Sequence, residues 1–198
     1  LPTLHRAKRL EMLRSMNKFT CRNVYPKVAV LLASKMPNLE QINISLDDDE
    51  KRFPDLRRRN RLEVADVIRQ LSLPSLRKAK IVFAQRRYED ETVVPPVLHD
   101  TGIPDPLSSA LFGFSLNLVT LDITGVFDLS VIRPLVGLGN TSWPRLKSLI
   151  INLLPTSPSG DWYFTGDDNF PRISVIGPDL STPGEHSKLH LEKYCSID

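Results

Sequence analysis

Cysteine and histidine are scarce in this chain, two and four among 198 residues. Cys21 and Cys195 lie near opposite ends, which excludes a dense disulfide scaffold. A reducing, intracellular compartment, cytoplasm or nucleus, is therefore expected. The histidines form no catalytic constellation. His186 and His190 are four apart, with Glu185 and Cys195 near them, but the Glu that stands between the histidines of a zinc hydrolase is missing. No metal site is expected there. His99-Asp100 has no nucleophile partner. Glycine is sparse too, nine against sixteen prolines. Neither a Gly-rich phosphate loop nor a Gly-x-Ser-x-Gly elbow occurs. These absences point away from an enzyme, and no cofactor is expected. No apolar run approaches the roughly 18–20 residues of a membrane span. A net charge of +3 is too mild to argue for nucleic acid. The chain starts at Leu1, so it is read as a piece of a longer protein.

What is present is a repeat. Trp143-Pro144-Arg145-Leu146 is followed by Leu149 and Ile151, and the same register holds Met36-Pro37-Asn38-Leu39 with Ile42 and Ile44. It returns at Leu73-Pro74-Ser75-Leu76 with Ala79 and Ile81, and, without proline, at Ser115-Leu116-Asn117-Leu118 with Leu121 and Ile123. A decayed fifth copy is Phe170-Pro171-Arg172-Ile173 with Ile176. Leu-x-x-Leu-x-Leu is the strand half of a leucine-rich repeat. The three apolar residues reach one core only if the chain turns at the first and then runs extended, because side chains alternate across a strand. Proline before the strand ends any preceding helix. The expected fold is α/β: an irregular leucine-rich-repeat-like solenoid, with short parallel strands on one side and helices on the other. Successive anchors are 37, 42, 28 and 27 residues apart. Only the last two spacings fall in the usual range of roughly 20–29 residues, so the earlier ones need insertions. The charged run 47–58 and the Pro-rich run 84–105 are the obvious ones.

One domain over 1–198 is expected: an N-terminal capping helix within 1–23, four to five repeats over 24–176, and a polar tail over 177–198. The helix is read over 3–16, with Leu4, Ala7, Leu10 and Leu13 on one side as the cover a solenoid end requires. Val24, Val28, Leu31 and Leu32 follow the spacing of a helix packed on a sheet. Asp47-Asp48-Asp49-Glu50 lacks the spaced pattern of a calcium loop and reads as solvated, its charge offset by Arg57-Arg58-Arg59 nearby. Asn60 with Glu63 looks like a capping box opening a helix through Val64, Ile68 and Leu71. Asp105 and Pro106 open the next helix, with Leu107, Ala110, Leu111 and Phe114 on one face. Asp128 opens a short one through Leu129, Ile132 and Leu135.

Strand parity assigns the outward face. Its central row is Asn43, Lys80, Asp122 and Ile150. The flanking rows are Gln41, Lys78, Thr120 and Ser148, and Ser45, Val82, Thr124 and Asn152. This face, concave in a solenoid, is expected to bind another protein. Trp162 and Tyr163, with Phe164, follow the turn Ser157-Pro158-Ser159-Gly160. Exposed, they would anchor a partner. Buried, the expected state, they would close the core.

The Pro-x-Leu registers together with Pro158-Ser159-Gly160-Asp161-Trp162-Tyr163-Phe164 resemble the leucine-rich-repeat-like regions of fungal F-box proteins, over roughly residues 24–164. That resemblance implies a ubiquitin-ligase substrate receptor whose repeats hold the substrate. No F-box is found in this chain, so a ligase adaptor would be reached only through one outside it. Two rival readings remain: a structural segment of a larger solenoid with no partner, and a nucleic-acid surface along Arg6–Arg14 and Arg57–Arg61.

Overall fold

The computed structural model describes residues 3–13, 25–50, 53–85, 94–100, 102–132 and 143–163, all within the compact unit Leu1–Thr165. Strands and helices alternate: β1 Arg9–Met12, α1 Pro26–Ala33, β2 Gln41–Asp47, α2 Pro54–Gln70, β3 Lys78–Ala84, α3 Pro106–Ser115, β4 Thr120–Gly125, a 3-10 turn at Leu129–Val131, and β5 Ser148–Leu153. The strands form one sheet whose spatial order is the chain order, every neighbouring pair parallel. Cys21, Cys195, Glu185, His186, His190, Arg86, Leu135 and Phe164, the fifth register at 170–176 and the tail 177–198 lie outside the described residues.

The repeat register has a backbone basis. Before each of the first four strands, the anchor amide closes a tight turn onto the carbonyl three residues earlier: Ala7 to Leu4 at 3.3 Å, Leu39 to Met36 at 3.0 Å, Leu76 to Leu73 at 3.1 Å and Leu118 to Ser115 at 3.0 Å. A second motif then links each repeat to the one before. The carbonyl of Lys8 accepts from the amides of both Glu40 and Gln41, and Glu40 does so from Arg77 and Lys78. Arg77 accepts from Val119 and Thr120, and Val119 from Lys147 and Ser148. Those shared acceptors set the strand register, so Gln41, Lys78, Thr120 and Ser148 stand side by side.

Proline punctuates the other half. All three helices open with proline at the first turn, where its missing N–H costs nothing and its fixed φ is already helical. Asp105 caps α3 by accepting from the Ser108 amide at 2.9 Å. The helices lie on one side of the sheet. Ile42, Ile44, Ile81, Phe83, Leu121 and Ile123 point inward and are buried against Ala29, Val30, Val64, Ile68, Leu107 and Leu111. Gly125 ends β4 where no Cβ fits, since one built there would lie 2.9 Å from the Phe127 ring. That ring meets Phe83 edge-on at 5.7 Å.

The structure corrects four expectations. The N-terminal helix expected over 3–16 is not formed over the described residues 3–13: Arg9–Met12 is a strand, paired with β2. Leu4-x-x-Ala7-x-x-Leu10-x-Met12 matches Met36-x-x-Leu39-x-x-Ile42-x-Ile44 position for position, so this stretch is a further copy of the register. Its apolar residues also fit a helix, and pairing with β2, which buries Leu10, decides between the two. The capping box at Asn60 does not open α2, which starts at Pro54. Proline at the first turn fixes the boundary six residues earlier. Val28 and Leu31 of α1 are exposed, while Ala29, Val30 and Ala33 share the face turned to the core at helical spacing and Leu32 packs partly buried against it. Finally, the acidic run is not simply solvated: Asp48 is buried.

Candidate interaction face

Asp48 follows β2, and its carboxylate accepts from Arg57 Nε at 3.1 Å and Nη2 at 3.2 Å. Arg61, one turn along α2, reaches Asp48 at 2.8 Å, Asp105 at 3.2 Å and the Val126 carbonyl at 2.9 Å. All four charged groups are buried. Burial works against the Arg61 charge, but the two aspartates outweigh it and raise its pKa above the ordinary value. This cluster joins the C-terminal ends of β2 and β4 to α2 and α3. Sequence reasoning missed it, although Arg57, Arg61, Val64 and Ile68 share the helical spacing of one face. It also removes Arg57 and Arg61 from any nucleic-acid surface.

The run 94–100, part of the Pro-rich loop, is held against the turn after β5. Leu98 and His99 amides both donate to the Pro158 carbonyl, at 2.7 and 3.0 Å, and Arg58 Nε donates to the Val97 carbonyl at 2.7 Å. His99 and Asp100 line a cavity of about 200 Å³ with Asp128, Ser159 and Asp161. A second, of about 290 Å³, lies between α2 and α3, lined by Ile68, Leu71, Leu76, Gly113, Phe114 and Leu118. Among the described residues no three His, Cys, Asp or Glu side chains are grouped to hold a metal ion, and no helix is long and apolar enough to cross a membrane.

Trp162 is half-buried and Tyr163 partly exposed. The Tyr163 hydroxyl donates to the Phe127 carbonyl. Burial, with Asp128, Asp105 and Asp161 nearby, pushes its pKa up to about 12. Tyr163 is thus tied back to the repeat body rather than projecting as an anchor.

The outward rows stand where strand parity put them. Arg9, Gln41, Lys78, Thr120 and Ser148 form one line across the sheet, and Glu11, Asn43, Lys80, Asp122 and Ile150 the next. Ser45, Val82, Thr124 and Asn152 form the third. None of these residues is buried. An all-parallel sheet ordinarily has both faces covered by its crossover helices. Here, among the described residues, only the inward face is covered.

The open face is laced by neighbour-to-neighbour contacts. Arg9 Nη2 donates to Glu11 at 2.6 Å and Asn43 to the same carboxylate at 3.4 Å. The Arg9 bond, then that from Asn43, lowers the Glu11 pKa. Lys80 pairs with Asp122 at 2.8 Å across β3 and β4. Asn152 donates to Thr124 Oγ1 at 3.2 Å. At the leading rim Lys8 pairs with Glu40 at 2.8 Å, which raises the Lys8 pKa.

Compared with family models, with curated proteins and with solved structures, the chain matches none. The reading of its function therefore rests on its own residues.

Proposed function

We propose that this chain is a leucine-rich-repeat-like solenoid module that binds another protein across its open sheet face. The observation that carries the reading is the bare face of a parallel sheet: three rows of mostly polar side chains, none of them buried, where a helix layer would ordinarily lie. Such a surface is rigid, because its backbone is locked by the ladder, and its side chains are independent of the core. Function on it is separable from folding. The resemblance to repeat regions of fungal F-box proteins extends the proposal to substrate recognition in an intracellular ubiquitin-ligase receptor, with the adaptor contacted by an F-box outside this chain. Gln41, Asn43, Ser45, Lys78, Lys80, Thr120, Asp122, Thr124, Ile150 and Asn152 are the proposed contacts.

The test is affinity capture with the wild-type chain, an open-face variant carrying Lys80→Glu and Ile150→Arg, and a helix-side variant carrying Arg59→Glu. A protein retained by wild type and the helix-side variant but lost from the open-face variant is the expected result. Equal retention by all three overturns the face assignment. One observation favours a second reading, a segment of a larger solenoid without a partner. On β5 the inward Leu149 and Leu153 are 39% and 50% exposed, a surface on which another repeat would stack. That reading predicts self-association of the chain at micromolar concentration, unaffected by the open-face variant.

A further inference from the structure

Three ion pairs account for most charge on and around the open face: Lys8 with Glu40, Arg9 with Glu11, and Lys80 with Asp122. Three cations remain without a carboxylate among the described residues. Lys78 is exposed in the first outward row. Lys147 is exposed immediately before Ser148, where its amide donates to the Val119 carbonyl at the start of β5. Arg77 spends its Nη1 on the neutral carbonyls of Pro74 and Leu76, at 2.9 and 3.1 Å. Among the described residues, the charge left without an ion pair at this end of the face is positive.

We infer that the face docks an acidic, extended segment of a partner protein, its carboxylates meeting Lys78 and Lys147 and an apolar side chain resting on Ile150. This rests on the protein-binding reading above. Lys78 and Ser148 are two strands apart in register, a separation of roughly 10 Å at the ordinary strand spacing. Between them stands only Thr120, so nothing bulky blocks the path. An extended chain advances about 3.3 Å per residue. Acidic residues two to four positions apart thus span about 7–13 Å, which brackets the gap. Ile150 lies one row further along the strands, 47% exposed and without a charged neighbour on β5, where it offers the apolar contact. A polynucleotide fits less well. Its evenly spaced phosphates would cross Asp122 and Glu11, and counterion release would come from three cations alone.

The experiment selects a library of random twelve-residue peptides on the full chain, then measures synthetic versions of the enriched peptides by fluorescence anisotropy. The expected result is enrichment of sequences with two or more Asp or Glu within five residues. Their affinity falls roughly tenfold on the Lys78→Glu/Lys147→Glu variant, the size expected for reversing two exposed charges, and falls again with added salt. Both lysines are exposed, so the variant should melt with the wild type. If it does not, Lys78→Gln/Lys147→Gln replaces it, with a smaller loss expected. Neutral or basic peptides that bind and are displaced by Ile150→Arg overturn the acidic partner while leaving the docking face standing. If no peptide depends on any open-face residue, the docking reading falls with it. A random-sequence 20-mer oligonucleotide binding more tightly than the peptides, and dependent on Lys78 and Lys147, also overturns the inference.

Discussion

Replacing Arg61 with methionine keeps much of the apolar stem and removes the guanidinium from the buried cluster. Asp48 Oδ2, Asp105 Oδ2 and the Val126 carbonyl lose donors now at 2.8, 3.2 and 2.9 Å. Breaking a buried ion pair by removing one partner costs about 3–5 kcal/mol. The lower end applies here, because neither carboxylate is fully stranded. Asp48 keeps Arg57 at 3.1 and 3.2 Å, and Asp105 keeps the Ser108 amide and hydroxyl at 2.9 and 2.6 Å. A loss of about 3 kcal/mol is expected, out of the roughly 5–15 kcal/mol that holds an ordinary domain. At about 2–4 °C per kcal/mol for this size of domain, the melting midpoint should fall by roughly 6–12 °C. Thermal and urea unfolding followed by circular dichroism measure both quantities. The exposed Arg59→Met is the control and should stay within about 0.5 kcal/mol. Combining Arg61→Met with Asp48→Asn should cost less than the sum, since both strip the same pair. A loss under about 1 kcal/mol for Arg61→Met alone would refute the view that the cluster braces the strand ends.

The strand at the N-terminus predicts a contrast: Leu10→Ala should destabilise by about 2–3 kcal/mol, near the low end for a buried leucine, whereas Leu13→Ala, at a site 68% exposed, should be nearly neutral. A helix over the same residues would make the two alike, and equilibrium urea melts tell them apart. Gly113 in α3 has no atom within 4 Å of a Cβ built on it, so Gly113→Ala should stabilise by about 0.5–1 kcal/mol. Gly125→Ala meets Phe127 at 2.9 Å and should destabilise by about 1–3 kcal/mol. Differential scanning calorimetry would expose either sign as wrong. Tyr163, raised from 10.0 to about 12, favours the folded state only while protonated. That contribution is complete below pH 10 and declines as pH climbs toward 12, since the unfolded chain then holds fewer protons than the folded one. The phenolate absorbance difference between wild type and Tyr163→Phe should titrate near 12, and a midpoint near 10 would contradict the burial.

Much of this fold is written in local pattern. The repeat registers, three of the four opened by proline, placed β2, β3, β4 and β5, and their parity put Asn43, Lys80, Asp122 and Ile150 outward, because side-chain alternation belongs to the extended chain itself. Asp105-Pro106 marked α3 for the same kind of reason: a cap and a fixed φ act on their immediate neighbours. The stretch around Leu10 shows where such reasoning stops. Its apolar residues satisfy both a helical and a repeat spacing, and only the ladder to Gln41–Ile44 resolves them. The Asp48–Arg57–Arg61–Asp105 cluster required tertiary structure as well. Its members are spread over 58 positions of sequence, and a charged run is solvated or buried according to what is folded over it. The same holds for the lysines. Composition counts their charge, but cross-strand pairing decides that Asp122 neutralises Lys80 and leaves Lys78 without a carboxylate among the described residues.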